Sequence, residues 1–413
     1  MRRRLLFVQN ALLQFTFFIS FCMMTVFTVL YMQSLGFTTL HTGIIFGLAN
    51  FFGAWLQMLT GQMADSSKVV TIKEVLLAHA GIAALAMVPL AFFSASGFVV
   101  LASFFVFSLL AQAVQGPINA VSVAFEQAGY PIQFSVIRGI GSASYGLTSL
   151  LAGMYFDRNP LTQLPLLLFV SMTLFGLVIF LLPPVPVGQR HPGVKAVGVV
   201  DPPTQHFYRK YPLFIPLVIG FTLLFSGHMV INTYLALLVR HVGGGATEAG
   251  IAVICAIVME VTSLFSYGHL RRHVSDRFLM GIAALIFTIK AIILFFATNV
   301  FVVYISQLFQ FATFPFFTAG ISYFSAAIVE KKDLVKGQNV VTIIMSLGGA
   351  VGSLLGGIVL NFLSVPSALL ATVGISLAGS VIALSGIRQA GIWSKTKQNL
   401  SKKETHFPKE QTN

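Results

Sequence analysis

Charge is scarce in this sequence. Asp, Glu, Lys and Arg together make up 9% of its 413 residues, against 56% for hydrophobic types. Soluble domains draw about a quarter of their residues from those four types to cover their surfaces, so a soluble multidomain chain is excluded. Cysteine is scarcer still: Cys22 and Cys255 both fall in apolar runs, which argues against a disulfide framework. The chain also lacks a phosphate-cradling glycine–lysine loop, a metal-ligand cluster and a nucleophile–base pair. ATP as energy source, a bound metal, a catalytic residue and a cofactor are therefore not expected, and a membrane enzyme is the least favoured class.

What the chain has in abundance is phenylalanine (40) and glycine (36), with a mean hydropathy of +0.87. Bulky apolar residues suit contact with lipid tails, and glycines let helices approach closely. Apolar spans are read near 6–31, 42–63, 72–94, 97–118, 134–156, 164–183, 212–238, 249–268, 278–298, 300–327, 339–362 and 366–387. Each has about 20 residues or more, enough to cross a hydrocarbon core of about 30 Å. Spans nine and ten run together, and the boundary is placed at Asn299. The expected fold class is an all-α polytopic membrane protein of about twelve transmembrane helices.

The net charge of +13 is distributed unevenly along this pattern. With the N-terminus in the cytoplasm, 21 of the 25 Lys and Arg residues fall in the tails and the cytoplasmic loops. The opposite loops hold Arg158 and Arg240, while Arg138 and Lys290 lie inside spans. This asymmetry is the positive-inside pattern, so the basic excess reads as topology and not as a nucleic-acid surface. It places both termini in the cytoplasm, in a multi-pass protein of the cytoplasmic (inner) membrane. Arg2, Arg3 and Arg4 before the first span imitate a signal peptide. The stretch is too long for one and has no small-residue cleavage site, so it reads as a retained helix.

Residues 184–211 interrupt the pattern with several prolines and scattered basic residues, and read as a cytoplasmic linker. They separate an N-terminal six-helix bundle (1–183) from a C-terminal one (212–388), followed by a basic tail (389–413) expected to be disordered. The two halves are faintly alike. Leu150 to Asp157 parallels Leu354 to Asn361 at an offset of 204, and Gly61 to Asp65 parallels Gly268 to Arg272 at an offset of 207. Similar offsets at two places argue for a parallel repeat of six helices, two pseudo-symmetric bundles. Gly348, Gly352 and Gly356 form a small-residue ladder, read as close packing with a moving interface as the alternative.

Polar residues within spans are the candidate site. A charge at bilayer depth costs on the order of 3 kcal/mol or more, so Arg138, Glu260 and Lys290 each need a partner or a role. Glu260 and Lys290 occupy adjacent spans, where they form a structural ion pair or line an aqueous cavity. Spacings of three, four and seven put Arg138, Gly141, Ser142 and Tyr145 on one helical face. A guanidinium there can bond hydroxyls while the ring lies against a sugar's C–H face; Tyr145 as an interfacial aromatic is the alternative. Gln307 and Gln310, His228 and Asn232, and Asn119 add neutral donors and acceptors suited to polyols. Each of these is equally readable as an interhelical hydrogen bond.

Several of these residues carry a family resemblance. Thr42-Gly-Ile-Ile-Phe46, Gly61-x-x-x-Asp65, Arg138 with Gly141 and Tyr145, Glu260, Lys290 and Asp333-x-x-Lys336-Gly337-Gln338 together resemble one group of transporters. This is the oligosaccharide:proton symporter branch of the major facilitator superfamily, the branch of lactose permease. The resemblance implies the major facilitator fold, a small-molecule substrate (a sugar or oligosaccharide), alternating access, a monomer in the lipid bilayer, and Glu260 as the proton-coupling carboxylate. It implies substrate-binding roles for Arg138, Tyr145, Glu260 and Lys290, and a loop-motif role for Gly61 and Asp65; Gln307, Asn119, His228 and Asn232 join the candidate binding set on their own side-chain chemistry. The chain departs from the pattern where the branch has His-x-x-Glu and here reads Gln307-Leu-Phe-Gln310. It departs again where Asn119 replaces the glutamate that pairs with the arginine. Neither glutamine titrates, so the branch's proton route is incomplete and proton coupling is not required. A nucleoside symporter and a drug or metabolite exporter of the same fold are the alternatives. A reporter fused after Pro203 or at the C-terminus should be cytoplasmic; an external signal at either point would overturn the helix count.

Overall fold

The computed structural model of the protein describes residues 2–66, 71–93, 95–186, 205–330 and 333–404. Its helices are α1 (Arg2–Ser34), α2 (Thr39–Ser66), α3 (Ile72–Phe92), α4 (Gly97–Gln127), α5 (Phe134–Phe156) and α6 (Leu164–Leu181). After the short α7 (Gln205–Lys210) come α8 (Phe214–His241), α9 (Ala246–Leu270), α10 (Asp276–Phe295), α11 (Val300–Leu308), α12 (Phe314–Ile328), α13 (Leu334–Phe362) and α14 (Val365–Glu404). Among the described residues, eleven spans are long and apolar enough to cross a membrane, with α11 and α12 counted as one. The twelfth of the expected spans is α5, whose 23 residues reach about 35 Å. Its interior-facing Arg138, Ser142, Ser144 and Ser149 lower its apolarity.

Two expectations are corrected. Span ten is not one helix: a 3₁₀ turn, Phe309–Ala312, separates α11 from α12, and Thr313 adopts φ −96°, ψ −95°. Pro315 explains the break, because it cannot donate to the carbonyl four residues back and its ring clashes there. The tail is not disordered from residue 389, since α14 continues to Glu404. Its extension has no proline and is rich in Lys, Gln and Ser, of which Lys and Gln are good helix formers. The boundary at Asn299 stands: its side chain accepts from the Val302 N–H at 3.2 Å and caps α11. Most of the expected linker (187–204) lies outside the described residues. Its last turn, α7, docks on the second half through Lys210, which reaches Glu330 at 2.9 Å and Asp333 at 2.8 Å.

At one end of the bundle the halves meet backbone to backbone. A Cβ on Gly153 would lie 2.4 Å from the Ala246 carbonyl, and one on Gly250 would lie 2.3 Å from the Ser149 carbonyl. The second contact repeats the first: a Cβ on Gly357 would meet the Thr39 carbonyl at 2.8 Å, and one on Gly43 the Ser353 carbonyl at 2.8 Å. The positions match pairwise at offsets of 204 and 207, so the pairs α5–α9 and α2–α13 are two copies of one interface. Only glycine permits this approach. Hydrogen bonds reinforce it: Ser149 Oγ donates to the Gly250 carbonyl (3.0 Å) and Thr39 Oγ1 to the Gly357 carbonyl (3.1 Å). Asp157 caps α9 from the other half, accepting from the backbone N–H of Ala246 (2.8 Å) and Thr247 (2.9 Å). Partial burial pulls its carboxyl upward, but the bonds to Thr247 and Ala246 win and hold it below the usual carboxylate range. That contribution is present above the ordinary carboxylate pKa and is lost only as pH falls through the lowered value.

The ladder Gly348, Gly352 and Gly356 has a different partner. It packs on α8, against Phe225, the Ser226 carbonyl and Tyr234, within the second half. The neighbouring stripe of Gly349, Ser353 and Gly357 faces α2. At the clasped end one apolar core includes Phe27 and Phe156 together with Tyr234, Ala246 and Leu369. At the opposite end the second half has its own core, from Phe207 and Phe214 to Phe324 and Ala390, which among the described residues includes none of α1–α6. The halves therefore share a core on one side and part on the other. Gly250→Val should cost about 1–3 kcal/mol by overpacking and part the clasp. Spin labels at Asn159 and His241 should then show a longer-distance population; an unchanged distribution would overturn the clasp.

Candidate functional site

The clasp sets the register of the site. With Gly153 on Ala246, Ser149 on Gly250 and Gly146 on Ile254 and Ile257, the antiparallel α5 and α9 bring Arg138 and Ser142 level with Glu260. The Arg138 guanidinium donates through Nη1 to Ser142 Oγ at 2.9 Å and lies 4.7 Å above the Phe18 ring of α1. Glu260 is within electrostatic reach of both Arg138 and Lys290.

Lys290, on α10, is 1% exposed. Among the described residues no carboxylate oxygen lies within ion-pair distance of its ammonium, so the direct Glu260–Lys290 pair is corrected. A glutamine stands between them. Lys290 Nζ donates to Gln310 Oε1 at 2.8 Å, and Gln310 Nε2 donates to Glu260 Oε2 at 3.3 Å. Each end of the amide faces the charge it suits, so its dipole links the ammonium to the carboxylate. Gln310 reaches both because it sits in the 3₁₀ turn, where Thr313 Oγ1 also donates to its Oε1 (3.3 Å). Irregular backbone at membrane depth is tolerated where protein surrounds it or a cavity adjoins it, and such breaks accompany binding sites in transporters.

The other expected residues divide. His228 and Asn232 are joined on α8 at 2.8 Å; His228 is enclosed by Phe225, Phe287 and Phe314, and Asn232 is exposed. Gln307 is fully buried and bonds to Ser306, apart from the charged group, with its Oε1 unpartnered. Asn119 accepts from Gln14 Nε2 at 3.0 Å and does not reach Arg138. The face bearing Arg138, Gly141 and Tyr145 is not free for substrate along its length, because it packs on α1. Gly141 abuts Phe18 and Gln14, and the Tyr145 hydroxyl meets Thr25 Oγ1 at 2.6 Å. The Tyr145 ring packs beside Phe18 and Phe21. Gly61 and Asp65 lie in the last turns of α2, away from this group, and the Asp65 side chain is outside the described residues. Asp333 belongs to the α7 contact, where Lys210 holds its carboxyl below the usual range. Phe18, Gln14 and Thr25 of α1 were missed. Gln14 was detectable as a polar residue in an apolar span, whereas Phe18 is one of 40 phenylalanines.

Two helical halves clasped through glycine, with ionisable groups held at membrane depth where they part, define a multi-pass membrane transporter and not an enzyme. The chain belongs to the MFS_1 like family, whose profile matches residues 8–368. No curated protein matches it. Among solved structures it is similar to the nucleoside transporter NupG, with a TM-score of 0.78 at 15% identity over 92% of this chain and 98% of that one. It is also similar to a bacterial homologue of the human lysosomal transporter Spinster (TM-score 0.68, 14% identity, 94% and 97%). The human organic anion transporter MFSD10 is similar at a TM-score of 0.59 (15% identity, 93% and 100%). At these identities the likeness is one of fold.

Gln310→Leu leaves a buried ammonium without its acceptor, at about 1–3 kcal/mol. The purified variant should unfold at lower temperature, and adding Lys290→Met should recover part of the loss. Wild-type stability in Gln310→Leu would show that the amide does not hold the pair.

Proposed function

We propose that this chain is a secondary transporter that moves a sugar or oligosaccharide by alternating access, with Glu260 as the group that carries a coupled proton. The observation that carries the reading is the cluster of Arg138, Glu260, Gln310 and Lys290, assembled from both halves at the depth where they separate. Charges placed there cost free energy unless they serve binding or movement of an ion. Under the positive-inside orientation the glycine clasp closes the external side, so the described conformation faces the cytoplasm. Opening the clasp and closing the other end would expose the same residues outside.

Glu260 suits the proton-carrying role because its partner is an amide. Protonated Glu260 no longer accepts from Gln310 Nε2 as a carboxylate does, so taking up a proton weakens the link to Lys290 across the α11–α12 break. Arg138 offers a planar fork to two neighbouring hydroxyls, and the exposed Asn232, held by the buried His228, offers a neutral amide from the other half. A nucleoside substrate is the second reading, favoured by the likeness of fold to NupG.

Labelled saccharide uptake into proteoliposomes under an imposed pH gradient tests the proposal. Wild-type protein should concentrate the sugar. Glu260→Gln should stop accumulation while exchange persists, and Arg138→Lys should reduce uptake by roughly tenfold or more through loss of the fork. Equilibration without accumulation by the wild type would replace symport with facilitation. Uptake abolished by excess nucleoside but not by sugars would favour the second reading.

A further inference from the structure

We infer that the transported compound carries one negative charge, as a hydroxylated carboxylate, and that Arg138 is the group that receives it. The inference rests on reading the cluster of Arg138, Glu260 and Lys290 as the substrate site. That cluster holds two cations and one carboxylate. Glu260 is tied to Lys290 through Gln310, with contacts of 2.8 and 3.3 Å. Arg138 shares Glu260 with Lys290 electrostatically but has no such bridge to it. Its polar contact is Ser142 Oγ at 2.9 Å, its other neighbour is the face of Phe18, and among the described residues no carboxylate oxygen lies within ion-pair distance of it.

On α4, Asn119 is neutral and its oxygen is taken by Gln14. A guanidinium has five N–H donors in a rigid fork, and a hydroxyl plus an aromatic face use a small part of them. The half-buried Arg138 thus presents donors where the halves part, in a group whose two cations share one carboxylate. A neutral polyol would satisfy some donors and leave the excess charge in place. A carboxylate takes the fork in two parallel bonds and cancels the charge. A phosphate ester, near two negative charges at neutral pH, would overshoot the single excess cation. Phe18, against the guanidinium, is buried and backs the fork.

The test is binding to the purified full-length protein, measured by calorimetry and by thermal shift, with matched acid and neutral compounds. D-Glucuronate is set against D-glucuronamide, methyl glucuronide against methyl glucoside, and glucose 6-phosphate against glucose. The acids should bind roughly tenfold or more tightly than their neutral partners, with the sugar phosphate showing no such gain. Arg138→Gln should abolish the preference, whereas Arg138→Lys should weaken the acid yet still prefer it; should the first variant not fold, the second supplies the readout. Equal binding of acid and neutral partners would overturn the inference and leave the sugar-site reading standing. A gain from phosphate as large as from carboxylate, or an acid preference that survives Arg138→Gln, would also overturn it. Failure of every compound to bind would overturn the site reading and this inference together.

Discussion

Contact between backbones at glycine is the constraint on which the rest of this structure depends. Within a bilayer helices gain little from hiding apolar surface, since lipid tails are as apolar as leucine, so association rests on close fit and on hydrogen bonds. Here the fit comes from Gly153, Gly250, Gly43 and Gly357, each of which brings its helix against a carbonyl of the opposite half. Because the contact occurs twice with matched spacing, the halves join symmetrically at one end. Arg138 and Glu260 lie further along α5 and α9, in the register which that contact sets.

Where the halves part, the chain holds ionisable groups at membrane depth and compensates them unevenly. Lys290 and Glu260 are coupled through a neutral amide. An amide-bridged pair is looser than a direct one: each charge keeps a suitable partner, yet a change at either end can be absorbed by the glutamine. The break that presents Gln310 ties this arrangement to span ten, so a change in protonation or occupancy acts on a helix that is already interrupted. Arg138 has no such bridge: its polar contact is Ser142 and its other neighbour the Phe18 ring.

The sugar-branch resemblance and the geometry meet at some residues and diverge at others. The arginine of α5 and the cation of α10 both lie within electrostatic reach of the glutamate of α9. Asn119 turns to Gln14, Tyr145 is engaged with α1, and Gln310 becomes the centre of the charged group. Asn119 on α4 is occupied by Gln14, and the arginine turns to a serine one helical turn along and to an aromatic face.

Composition, hydrophobic run length and the placement of Lys and Arg were enough to establish a polytopic helical protein and an expected orientation, because a bilayer penalises charge and unpaired backbone wherever they occur. Arg138, Glu260 and Lys290 were legible for the same reason, as costly exceptions in apolar spans. The repeat was legible through Gly153 and Gly357, whose spacing survives while most side chains differ. The partner of each residue was not legible. Gln310 between Lys290 and Glu260, the break before Pro315, and the packing of the Arg138 face on α1 depend on how helices distant in sequence cross, and helical spacing reports a face without saying what it meets. Local sequence carries the cost of placing a group in the membrane; only the tertiary structure decides which neighbour offsets that cost.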